Sequence, residues 1–383
     1  MRELVLGDSL ELLIDNRGKN PPFVADGVPA VSAMNVANGV LDLNDARRVT
    51  RDIYETWMPQ PIRRGDVVMT SEAPLGRVAR VRSDDEICLA QRVFGLRGRE
   101  GVLDTGFLYY ALQSSKVQAE LEGRATGTTV VGIRQSALLQ AKIPAPDFGQ
   151  QCAMAEVLGA LDDKIAANRK LAETADLLAK AQFTSMLADS QSVPLSATAQ
   201  FVNGKAFTKG ASGTGRVVIR IAELNSGIGG STVFSDIEVD DQFVARPGDL
   251  LFAWSGSLTL HRWFRDEAIV NQHIFKVIPA DGYSPWLLFQ LIQEKLPRFK
   301  DIAADKATTM GHIQRKHLDE PVLVPSPAQV ERLEATMTAL WDRALLAERE
   351  SLQLTTLRDT LLPRLMSGEL RVRDAEKQVE AAL

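Results

Sequence analysis

The chain has 383 residues, enough for two or three domains that each bury a core. Its 45% apolar and 24% charged content excludes a disordered or fibrous protein, and a net charge of -5 excludes one that coats nucleic acid by charge alone, so any such contact must be local. Cys88 and Cys152 lack CxxC spacing, no apolar run approaches a membrane span of about 18 residues, and the acidic N-terminus is unlike a signal peptide. A cytoplasmic chain with no membrane partner, disulfide framework, metal or cofactor is expected.

The first motif in chain order is "DNRGKNPPFV" at 15–24, which contains Asn20, Pro21, Pro22 and Phe23. Asn-Pro-Pro-Phe is a catalytic tetrapeptide of amino-methyltransferases acting on flipped DNA bases, where it ends a buried strand beside a cofactor pocket. Here polar residues precede it, and only 19 residues stand upstream, too few for a Rossmann-like strand, glycine loop and helix. "SGTGRVV" at 212–218 and "NSGIGGS" at 225–231 do not sit between a strand and a helix as such a loop must. The tetrapeptide reads as a proline-stiffened turn before a strand.

Short β-like runs follow, such as "GDVVMT" and "GRVARV", then a helical stretch, "DTGFLYYALQSSKVQAEL". After "KIPAP" at 142–146 comes one long helix. Its residues Met154, Leu158, Leu161, Ile165, Asn168, Ala172, Ala175 and Ala179 recur at spacings of mostly 3 and 4, a coiled-coil seam. Asp147 with Gln150 marks its start, and it must end before Pro194. Asn168 is either a register-setting polar residue facing a partner helix or a residue turned to solvent.

The second half repeats the first. "RRGDVVMT" from Arg63 matches "RPGDLLFA" from Arg246, and "CLAQRVFGL" from Cys88 matches "IVNQHIFKV" from Ile269. "ATGTTVVGI" from Ala125 matches "DKATTMGHI" from Asp305, and "LVPSP" at 323–327 matches "KIPAP". A second seam follows, with Val330, Leu333, Met337, Leu340, Ala344, Ala347, Leu354, Arg358, Leu361 and Leu365, starting at the capping pair Ser326 and Gln329 and stopping at Gly368. Two such helices, each following an equivalent globule, should pair with each other, because neither is stable alone with an exposed apolar seam. The expected fold is α+β: two similar mixed α/β domains, 1–148 and 191–326, separated by long helices at 149–190 and 327–368 that form an antiparallel coiled coil with a pseudo-two-fold internal repeat, and a tail at 369–383.

The order globule, long helix, globule, long helix, with "KIPAP" leading into "QQCAMAEVLGALDDKIAANRKLAE" and the closing "LLPRLMSGEL" at 361–370, resembles the specificity subunit of type I restriction-modification systems. The resemblance covers residues 1 to about 370; "PSPAQVERLEATMTALWDRALLAERE" departs from it by lacking the usual acidic and glutamine-rich helix start. It implies a non-catalytic subunit whose globules are target recognition domains for the halves of a bipartite double-stranded DNA site. The helices would set the spacer and dock two methyltransferase subunits, and the larger complex would recruit restriction and translocase subunits. The alternatives are a stand-alone DNA amino-methyltransferase using Asn20 to Phe23 and a protein-binding coiled-coil scaffold.

Charge directs the search for DNA contacts. Basic and acidic residues number 18 and 19 in 1–148 and 14 and 14 in 191–327, but 4 and 6 in 149–190 and 8 and 10 beyond 327, so DNA should meet the globules. Arg, Lys, Asn and Gln can read base edges, while hydroxyls suit phosphates. The repeated places select Ser71, Arg77, Arg92, Arg124, Thr128, Thr129 and Arg134 in the first globule. In the second they select Trp254, Ser257, His261, Arg262, Gln272, Lys306, Thr308, Thr309 and Lys316.

Overall fold

A computed structural model describes residues 2–16, 18–37, 39–127, 129–304 and 311–383. It divides into two compact units, one made of Met1–Lys164 with Leu354–Leu383 and the other of Ile165–Gln353. Each unit therefore contains one globule and a length of each long helix.

In the first unit a four-stranded antiparallel sheet runs in the order Leu10–Asp15, Val93–Gly98, Val67–Thr70, Val78–Arg80. All four residues of Val67–Thr70 are buried, so both faces of this strand are covered, which explains its unbroken apolar sequence. A smaller sheet places Val28–Val31 antiparallel to Arg47–Val49 and parallel to Cys88–Leu89. Val31, Val49, Val68, Ala79, Leu89 and Val93 form the shared core. Cys88 lies within it, and burial pushes its thiol up to about 11, so it is a packing residue rather than a nucleophile.

Strand Lys142–Ala145 pairs with Arg2–Val5 and delivers the chain to the helix Phe148–Ser185. The Asp147 carboxylate accepts from the Gln150 backbone N–H at 3.0 Å, satisfying one of the free donors of the first turn. Gln151, fully buried, ties this turn to the globule by donating to the Val102 and Pro146 carbonyls and accepting from the Asp104 N–H. Leu158 and Leu161 are buried further along the helix. Asp162 accepts 2.7 Å bonds from the Tyr110 hydroxyl and from Arg358 on the second long helix, Pro327–Ser367. Burial first, and then the Asp162 charge, raises the Tyr110 phenol above its ordinary value, so the hydroxyl stays a donor. Leu354 and Leu361 are buried on the same helix. Gly368, at φ +77°, and a bond from the Leu370 N–H to the Arg364 carbonyl close it. The segment 369–383, read as a tail, contains the helix Val372–Glu380 with Ala375 and Val379 buried, because its apolar positions four apart share one face.

In the second unit the sheet order is Ala199–Asn203, Ile274–Pro279, Leu250–Ala253, Thr259–Arg262. The register repeats that of the first unit: Met69 faces Phe94 there and Phe252 faces Phe275 here, the offsets seen in the sequence. The smaller sheet again has a parallel pair, Arg216–Ile219 with Ala268–Val270. Strand Gln191–Pro194 pairs with Pro321–Val324, which leads into the second long helix, where the Gln329 side chain accepts from the Ser326 N–H at 3.3 Å.

Both long helices enter the core of this globule. Ala179, Phe183 and Met186 from one and Met337 and Trp341 from the other pack with Phe252, Leu288 and Phe299, while Leu333 and Leu340 lie half-buried against the same cluster. Further along, Ala172 and Ala175 meet Ala344 and Ala347. Ile165 is buried, and Asn168, also buried, donates to Glu350 at 2.9 Å. Numbers rise along one helix as they fall along the other, so the pairing is antiparallel. Asn168 thus faces the partner helix rather than solvent.

Candidate nucleic-acid interface

The Gly-Asp pairs are tight turns. Gly65 at φ +94° and Gly248 at φ +96° occupy backbone that an L side chain rarely adopts. Asp66 accepts from the Arg63 N–H and Asp249 from the Arg246 N–H, each at 2.8 Å. A basic residue of the neighbouring strand balances each carboxylate, Arg97 at 2.6 Å and Lys276 at 3.1 Å. These turns launch the central strands Val67–Thr70 and Leu250–Ala253, and the site forms where those strands end.

In the first unit the Ser71 N–H donates to the Arg92 carbonyl, and the Ile133 N–H donates to the Ser71 carbonyl, both at 2.9 Å. Thr126 and Gly132 exchange backbone bonds, and Gly132 bridges to Glu72. The turn after the strand, residue 92 and the 126–133 loop are thereby held together. The second unit repeats the arrangement. The Trp254 N–H donates to the His273 carbonyl, the Ile313 N–H to the Trp254 carbonyl, and the Gly256 N–H to the Gly311 carbonyl. Three separated pieces of sequence meet in the same way twice.

Around this junction in the first unit, Arg77, Thr129 and Arg134 are exposed. Arg92 is exposed as well, with its Nε 3.0 Å from Glu72. Arg124 is half-buried and pairs with Glu120 at 2.7 Å; this bond outweighs partial burial and lowers the Glu120 carboxyl below its ordinary value. In the second unit Ser257 and Gln272 are exposed; Lys316 is exposed as well but lies away from the junction, with Ser196, Ala199 and Ala280 at the other end of the sheet. Trp254 is half-buried, donates from its indole N–H to Asn203 at 2.7 Å, and sets its ring 5.2 Å from that of His273 and 6.4 Å from that of His312. His261, half-buried, shares the Asn225 carboxamide oxygen with Thr259, and burial lowers its imidazole pKa. Thr128, Lys306, Thr308 and Thr309 lie outside the described residues.

Two further expected contacts take other places. Ser71 has no exposed surface; its backbone, not its hydroxyl, joins the loops, because the strand end is buried under them. Arg262 is also buried. Its guanidinium lies between Asp176 on one long helix and Glu348 on the other, over the ring of Trp341. Burial alone would lower its pKa, but the two carboxylates outweigh it and hold the group above its ordinary value. Arg262 therefore fastens the globule to both helices. The Asn20 to Phe23 stretch likewise serves the fold: the Phe23 ring packs on the core and lies 4.7 Å from the Arg47 guanidinium.

Several residues at the junction are not among the contacts selected from the sequence: Glu72, Asn203, His273 and His312. The signal for His273 was present, since "QR" at 91–92 and "QH" at 272–273 occupy one place in the repeat. Both second members are non-glycine residues with positive φ, Arg92 at +67° and His273 at +73°. No helix among the described residues is long and apolar enough to cross a membrane.

Comparison with known proteins agrees with this duplicated architecture. Residues 31–175 match the family model of the type I restriction modification DNA specificity domain. The MjaVIII type I restriction enzyme specificity subunit of Methanocaldococcus jannaschii is 29% identical over 40% of this chain and 37% of its own length. The MjaIX specificity subunit of the same organism is 22% identical over 86% of this chain and 83% of its own. The alignment with the first of these thus spans well under half of that relative. Among solved structures, the type I restriction-modification S subunit of M. genitalium superposes with a TM-score of 0.59 at 17% identity, covering 95% of both chains, and so shares the fold. Residues 31–175 are thus similar to the type I restriction modification DNA specificity domain, and the chain as a whole shares the fold of a solved S subunit.

Proposed function

We propose that the chain is the non-catalytic subunit that reads a bipartite double-stranded DNA site and brings two methyltransferase subunits, and with them restriction subunits, to it. The observation that carries the reading is the duplicated junction: one constellation of loops at the end of one central strand, built twice in a single chain with different side chains. A duplicated scaffold with divergent surface residues suits two half-sites of different sequence. The recognition domains are 1–148 and 191–326, and the spacer helices 149–190 and 327–368. Arg77, Arg92, Arg124, Thr129 and Arg134 contact one half-site, and Trp254, Ser257 and Gln272 the other. The near-balanced charge of the globules favours a specific contact over a coating one.

The test is selection from a random duplex library by the full chain with its partner methyltransferase. Two short defined half-sites separated by a fixed undefined spacer are expected. Equal binding of scrambled and selected duplexes would overturn the reading. Methyl transfer from S-adenosylmethionine to DNA by the chain alone would replace it with an enzymatic one.

A further inference from the structure

We infer that the residue held in left-handed backbone after the repeated glutamine, Arg92 in one unit and His273 in the other, is the principal base-reading residue of its recognition domain. This rests on the DNA-reading function proposed above and names where in each domain the reading is done.

Four observations converge on these positions. A non-glycine residue at positive φ is strained, and the strain persists only where the surroundings impose it. Here it recurs at the same place in both repeats, at +67° and +73°. Second, each position lies where the three loops meet: the Arg92 carbonyl accepts from Ser71 and the His273 carbonyl from Trp254, the residues that also receive the third loop. Third, each junction contains a buried polar atom with no partner among the described residues, the Ser71 hydroxyl oxygen in one and His273 Nδ1 in the other. Such atoms destabilise a fold, and a bound group is one thing that satisfies them.

The fourth observation is the contrast between what repeats and what differs. The backbone conformation and the preceding Gln91 or Gln272 are the same, while the side chain changes from guanidinium to imidazole and its neighbour from Glu72 to Trp254. A residue kept only to make a turn would be glycine or asparagine, which meet no strain there. Fixed geometry with exchangeable chemistry is what a reading position requires. Arg92, with Glu72 steadying its Nε, presents a planar fork suited to the O6 and N7 edge of guanine. His273, half-exposed against the indole of Trp254, combines a hydrogen-bonding ring with an apolar face and suits a base pair read by one hydrogen bond and one methyl or stacking contact.

The experiment repeats the random-library selection on the complex with Arg92→His, His273→Arg and, as variants that tolerate the left-handed backbone, Arg92→Asn and His273→Asn. Melting temperatures are measured alongside. Each variant should lose or change preference at one or two adjacent base pairs of a single half-site, on the order of 10-fold or more. The other half-site and the spacer should stay as in the wild type. A folded Asn variant with an unaltered preference would overturn the inference, as would an equal loss of affinity for all sequences. If the wild-type complex itself selects no bipartite site, the functional reading fails first, so the two failures are distinguishable.

Discussion

The Arg262 guanidinium is 3.2 Å from Asp176 and 2.9 Å from Glu348, and its carbon lies 4.6 Å from the centre of the Trp341 ring. With 2% of its side chain exposed it has been taken out of water, so its charge must be matched where it stands. Arg262→Ala would leave Asp176 and Glu348 facing each other across a gap. Losing one partner of a buried pair costs about 3–5 kcal/mol, and the lower end applies because the two carboxylates keep some solvent contact. Arg262→Met fills the space under Trp341 and should cost less than Arg262→Ala. Chemical denaturation of the two variants checks both the loss and the order. The sequence could not disclose this role. An arginine on a short polar strand reads as surface charge, and its two partners each lie 86 residues away, one on either side. The same limit applies to His273, whose letters raise no expectation of a left-handed backbone.

At the scale of elements, the 3 and 4 spacing disclosed both long helices, because burial of one face imposes that period whatever covers it. It could not say what the cover is. Met337 lies on the seam by spacing and Trp341 beside it, yet both pack into the second globule's core; the helices of that unit meet each other where alanines pack. Ala172, Ala175, Ala344 and Ala347 are nearly or wholly buried, and small side chains there let the backbones approach. Ala344, with no exposed surface, has no room for a longer side chain, so Ala344→Leu should destabilise by about 1–3 kcal/mol through overpacking. Ala344→Gly should cost about 1 kcal/mol through helix propensity alone. A thermal melt in which Ala344→Leu matched the wild type would mean that the helices do not meet there. The Gly-Asp turns were fully legible, since the backbone freedom of Gly65 and Gly248 and the carboxylate bonds of Asp66 and Asp249 are local requirements.

For the whole molecule, the repeat was the most legible feature, because matching landmarks in the same order survive even where the intervening residues diverge. The function proposed for the helices leads to a quantitative expectation. If they set the separation of the half-sites, that separation should follow helix length in steps that preserve the seam. Removing seven residues from each helix leaves the 3 and 4 spacing in phase and shortens each by about 10 Å at 1.5 Å per residue. At 3.4 Å per base pair that is about 3 base pairs of B-form DNA. The excision must avoid the parts fixed to the globules, so it falls between Ile165 and Ala175 on the first helix and between Glu348 and Arg358 on the second, clear of Asp162, Asp176, Trp341, Glu348 and Arg358. Selection by the shortened complex should return the same two half-sites with a spacer smaller by about 3 base pairs. A shortened chain that folds and supports methylation by its partner subunits but keeps the original spacer would show that the separation is set by the globules, and that the helices serve only to hold the partner subunits.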